Sequence, residues 1–87
     1  MRNRSSPPDR AVNLFKGLTV AATIITVYSD YCVTRATAPD GSVHIVTFSM
    51  ERWPEEVLVK EGDIISLGEI RLLSAKGYRS YKPTLKP

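Results

Sequence analysis

Seven of the eleven residues from Leu18 to Tyr28 (LTVAATIITVY) are threonine, valine or isoleucine. Side chains branched at Cβ lose rotamer freedom against the preceding turn of a helix but sit well on a pleated surface. The stretch therefore predicts a strand, and a long one. It is well under the ~20 apolar residues that cross a bilayer as a helix.

Similar runs recur along the chain. Ser29-Asp30 offers a short turn, and Tyr31 to Ala38 (YCVTRATA) reads as a second strand. Pro39-Asp40-Gly41-Ser42 is the strongest turn signal, because proline presets the first corner and glycine accepts positive φ at the third. A hairpin is expected there, followed by strand three from Val43 to Met50. Pro54 breaks that run because it cannot donate a ladder hydrogen bond. Glu51 to Glu56 is then a connection with room for one helical turn begun by Pro54. Lys60-Glu61-Gly62-Asp63 turns the chain into strand four, Ile64 to Leu73, where Gly68 marks a bend or bulge. Ser74 to Gly77 turns once more, and Tyr78 to Leu85 is a fifth strand that Pro83 restricts to an edge or to its end. Ahead of all this, Ala11 to Phe15 reads equally as one helical turn ended by Gly17 or as an extended lead-in.

With 87 residues there is room for one modest core. Five strands with a single interruption favour a small closed or partly open barrel over a sandwich, which takes about 100 residues. Two units are expected, a flexible basic arm over residues 1–10 and one barrel domain over 11–87. The arm is polar throughout (MRNRSSPPDR), unlike a secretory signal, so an intracellular location, cytoplasm or nucleus, is expected, with no membrane association. A lone Cys32 excludes both an intramolecular disulfide and a cysteine cluster for zinc.

Charge is more informative by segment than as the total of +3. The first ten residues hold three arginines against Asp9, the stretch from 11 to 70 has eight acids against four bases, and residues 71–87 carry five bases and no acid. Once folding gathers the two ends on one side, such asymmetry makes a face for a polyanion. Catalytic constellations are thin. His44 and Cys32 would need to be adjacent, with an orienting third group, to act as a nucleophile pair, and ordinary packing is the simpler reading. Phosphate-loop and dinucleotide glycine motifs are absent, and the Glu55-Glu56 and Glu61-Asp63 clusters read as solvated turns. The expectation is a non-enzymatic protein without metal or cofactor.

In order and spacing the segments resemble the OB-fold single-stranded nucleic-acid-binding family, such as domains of replication protein A and small phage-type single-strand DNA-binding proteins. DGSVHIVTF (Asp40 to Phe48) looks like the hairpin of that family entering strand three, and VKEGDIISLGEIRLL (Val59 to Leu73) looks like its glycine-aspartate entry to strand four. The resemblance implies an all-β, five-stranded OB-type barrel with a short or vestigial helix between strands three and four. It further implies that bases stack on aromatic rings across strands two and three while a basic groove follows the phosphates.

Carried onto this chain, Tyr31, Arg35 and Phe48 match that arrangement if Cys32, Thr34 and Ala36 of strand two, and Val43, Ile45 and Thr47 of strand three, point inward. The loop between strands four and five runs into strand five as Lys76-Gly77-Tyr78-Arg79, with Tyr81 beyond, and adds phosphate contacts at Lys76 and Arg79 and ring platforms at Tyr78 and Tyr81. Arg71 extends the cationic face, and Trp53 is either a stacking ring or, more naturally, a plug in the core. The expected partner is single-stranded DNA, handled during replication, recombination or repair. RNA binding and an assembly module that docks a larger complex through Leu14, Phe15 and the basic tails remain open, as does a homodimer joined through an edge strand.

Overall fold

The structure, a computed structural model, describes residues 12–74 and 77–86. Five strands are arranged along the chain: β1 Val20–Val27, β2 Tyr31–Thr37, β3 Val43–Ser49, β4 Ile64–Ser74 and β5 Gly77–Thr84. They close into a barrel in the order β1-β2-β3-β5-β4, with β4 returning to β1. All neighbours are antiparallel except β3 and β5, which run parallel. The domain is thus an all-β, closed five-stranded barrel of the OB type. No helix among the described residues is long and apolar enough to cross a membrane.

Closure depends on β1 serving two partners. Val20 to Thr23 pair with β4, whereas Ala22 to Val27 pair with β2, and the register slips between Ile24 and Thr26. An extra residue in one strand increases its local twist, and here it bends β1 around the barrel. The one element between β3 and β4 is a 3-10 turn, Met50–Arg52, started by the Ser49 hydroxyl, which accepts from the Glu51 amide at 3.2 Å. The expected helix is reduced to this turn. It ends ahead of Pro54 instead of beginning there, because Ser49 supplies the cap five residues earlier. In the N-terminal segment the compact alternative holds: Leu14 to Gly17 form a turn, with Gly17 at φ +75°.

Small residues on β2, namely Cys32, Thr34 and Ala36, face inward as expected. On β3 the expected parity is reversed: Val46 and Phe48 are buried, and Val43 and Ile45 are exposed. The ladder dictates this. Cys32 faces Phe48, Thr34 faces Val46 and Ala36 faces His44, and directly opposite residues in an antiparallel pair share one face of the sheet. Large β3 side chains thereby fill the space that small β2 side chains leave.

Rings close both ends of the core. At one end Phe15, His44 and Tyr78 meet edge to face, with centroids 4.8 to 5.9 Å apart. At the other end Trp53 stacks on Phe48 at 5.8 Å and donates its indole N–H to the Val57 carbonyl at 3.1 Å, so Trp53 is the plug. Two wholly buried hydroxyls are satisfied in place, Thr34 donating to the Val46 carbonyl and Ser80 to that of Gly68, each at 2.7 Å. The bulge expected at Gly68 is absent: the β4–β5 register runs unbroken from Ser66 to Leu72 and slips between Leu72 and Ser74, while Glu69 adopts φ +46°, in the left-handed region.

Candidate nucleic-acid interface

The same alternation that fills the core decides which side chains stand outside. Tyr31, Arg35 and Thr37 project from β2, and Val43, Ile45 and Thr47 from β3. Register links them across the barrel: Val33 faces Thr47, Thr47 faces Arg79, and Arg79 faces Arg71. One outward row therefore crosses β2, β3, β5 and β4, a span of about 14 Å at the usual strand spacing.

Tyr28 and Tyr31 stand at the corner where β1 turns into β2. The two-residue turn Ser29-Asp30 is closed by the Tyr28 amide donating to the Tyr31 carbonyl at 2.9 Å. Hairpin closure brings the rings together, with centroids 4.7 Å apart and planes inclined by 23°. They are 48% and 40% exposed, a flat apolar surface with phenolic ends in water. Beside them lies a cavity of about 470 Å³ whose lining includes Asp30, Tyr31, Thr47, Ser49, Glu51 and Arg79. Its carboxylates accept hydrogen bonds, which suits the amino groups of base edges and disfavours phosphate. A second cavity, about 500 Å³, lies against the N-terminal turn and is lined by residues including Lys16, Glu69 and Arg71. Arg79 and Arg71, facing each other on β5 and β4, separate the two.

Tyr81 is half-buried and is engaged by two guanidinium groups, that of Arg71 at 5.2 Å from the ring centroid and that of Arg52 at 5.6 Å. Arg52 arrives from the 3-10 turn and Arg71 from β4.

The sequence-predicted site is therefore divided. Tyr31, Arg35, Arg71 and Arg79 are exposed on the outer face, and Tyr81 is a ring platform already carrying arginines. Phe48 and Tyr78, expected as stacking surfaces, are core residues at 0% and 5% exposure and cannot receive a base. The ladder turns Phe48 inward, and Tyr78 faces in opposite Val46 and Leu72, capped by Phe15. Phe15, packed edge to face on Tyr78 and His44, is wholly buried and so is closed to the partner contact expected of it. Lys76 and the arm of residues 1–10 lie outside the described residues. Sequence reasoning missed Tyr28 and Arg52. Tyr28 was signalled by the symmetric Tyr-Ser-Asp-Tyr around a two-residue turn, whereas nothing local connects Arg52 with Tyr81.

His44 and Cys32 are not brought together. Their ladder partners, Ala36 and Phe48, set them four residues apart along the strands, about 13 Å. Burial pushes the Cys32 thiol up to about 11, opposed by a weaker backbone hydrogen bond, which leaves it the protonated, unreactive form at neutral pH. His44 Nε2 instead lies 2.7 Å from the Ser42 hydroxyl, which also meets Asp40 Oδ1 at 2.5 Å. The Ser42 hydroxyl and amide hold the exposed Asp40 carboxyl below its ordinary range. This chain of contacts ties the tip of the β2–β3 hairpin. Among the described residues no group of three or more His, Cys, Asp or Glu side chains is placed to hold a metal ion. No protein-family model, curated protein or solved structure matches this chain.

Proposed function

We propose that this chain is a non-enzymatic single-stranded DNA-binding protein that holds exposed strands during replication, recombination or repair. The observation that carries the reading is the half-exposed Tyr28–Tyr31 stack on the outer face that also bears Arg35, Arg79 and Arg71. A base stacked on an aromatic ring contributes about 1–3 kcal/mol with little regard to sequence. Unpaired bases reach the rings, whereas those of a duplex are already stacked on each other. Arginines along the row meet the phosphates, and the cavity beside Tyr31 offers acceptors to base amino groups.

Fluorescence anisotropy with labelled oligonucleotides tests this. Single strands should bind more tightly than the matched duplex, and log K should fall with log salt by about 0.7 per neutralised phosphate. Matched RNA competing as well as DNA would reassign the partner to RNA. An absence of binding to any nucleic acid at low salt would favour an assembly module, for which the 94%-exposed Leu58 is the most conspicuous contact.

A further inference from the structure

We infer that Arg52 and Arg71, held over the Tyr81 ring, and Arg79, opposite Arg71, form a seat for a dianionic phosphate monoester, the group that ends a phosphorylated strand. The inference rests on the single-strand reading for its ligand, but its geometry stands separately. Arg71 and Arg79 occupy directly opposed positions on β4 and β5, where like charges destabilise a sheet. Neither is ion-paired with a described residue. The repulsion between the two is relieved by an anion placed between them.

Tyr81 supplies the preorganisation. Its ring holds the Arg71 and Arg52 guanidinium groups at 5.2 and 5.6 Å. The ring attracts the guanidinium charge without supplying a lone-pair acceptor, so N–H donors stay available for the paired oxygens of a phosphate. Holding the arginines before the ligand arrives lowers the entropy lost on binding.

Charge and donor number choose between an end and a passing backbone, because three guanidinium groups exceed what the single charge of a diester can use. Asp30 and Glu51 line the cavity on the β3 side of the arginine pair, and Glu69 lines the cavity on the β4 side. These carboxylates confine the strongest attraction for an anion to the arginine group itself, so one phosphate seats there while the rest of the strand passes along the Tyr31 and Arg35 side of the row. A terminal phosphate needs one seat only, and its charge of nearly −2 with three acceptor oxygens exceeds what a diester offers.

The test compares one single-stranded DNA oligonucleotide with a 5′-phosphate, a 3′-phosphate or hydroxyls at both ends, with inorganic phosphate as a further arm. At least one phosphorylated form should bind about tenfold tighter than the hydroxyl form. Which end gains identifies the source of the monoester. The preference should disappear in R71Q and R79Q and be reduced in Arg71→Lys, which keeps the charge and loses the fork. Circular dichroism confirms folding of these surface variants. Equal affinity for all three oligonucleotides would overturn the phosphate seat and leave the single-strand reading standing. Oligonucleotides that fail to bind, while inorganic phosphate saturably shifts the arginine Nε–H resonances of wild type but not R79Q, would support the seat and remove the single-strand reading.

Discussion

Sequence alone assigns Phe48 and Tyr31 the same stacking role, the fold places one in the core and the other outside, and two substitutions separate them. Phe48 is wholly buried and stacked on Trp53 at 5.8 Å. Phe48→Leu removes three buried carbons, about 2 kcal/mol at ~0.8 per carbon. For a domain of this size, stable by about 4–13 kcal/mol, that lowers Tm by about 8–16 °C. Tyr31 is 40% exposed and its ring stacks on Tyr28, so Tyr31→Ala costs about 1 kcal/mol of pair energy. Binding reverses the order: Tyr31→Ala loses about 1–3 kcal/mol of base stacking, roughly 5- to 150-fold in Kd, and Phe48→Leu leaves Kd unchanged below its melting range. Differential scanning calorimetry and anisotropy on the same samples read both axes. Phe48→Leu weakening binding at unchanged Tm, or Tyr31→Ala melting earlier than Phe48→Leu, would refute the placement of the two rings.

Local chemistry sets three further outcomes. The Cys32 thiol, pushed from 9.0 to about 11 by burial, contributes stability that is present below pH 9 and lost between pH 9 and 11. Cys32→Ala should flatten that part of the stability curve relative to wild type, and a disulfide reagent at pH 8 should label Cys32 only on unfolding. The Asp40 carboxyl is held below 3.8 by Ser42, so its support for the hairpin is present above that value and disappears as pH falls through the lowered folded one. Ser42→Ala removes the hydroxyl and keeps the amide, so it should move the Asp40 carboxyl part of the way back towards the ordinary range in a carbon-detected NMR titration. Glu69 sits at φ +46°, a conformation costing a non-glycine residue about 1–2 kcal/mol. Glu69→Gly should stabilise the barrel by about 0.5–1 kcal/mol net of glycine entropy in chemical denaturation, and destabilisation would show that no strain is held there.

Strand positions were legible because the β-branched runs are bounded by strong turns, Pro39-Asp40-Gly41 above all. Facing was harder. β3 is apolar on both parities, with Val43 and Ile45 on one and Val46 and Phe48 on the other, so periodicity could not decide. Only the hairpin register, which sets Phe48 opposite Cys32, does so. On β5 the inward set includes Ser80, a polar residue satisfied by the Gly68 carbonyl, and this hides the alternation that buries Tyr78. The Arg52–Tyr81–Arg71 group joins three elements and depends on closure of the whole barrel, so no window of sequence contains it.

Backbone and arginine side-chain chemical shifts, followed while a short single-stranded DNA is titrated into the protein at low salt, test the central claim most directly. The account predicts saturable shifts concentrated at Tyr28, Tyr31, Arg35, Thr47, Arg71 and Arg79, with the matched duplex producing much smaller ones. Shifts centred on the opposite wall, around Ala21, Ile25 and Ile64, or equal responses to single strand and duplex, would contradict it.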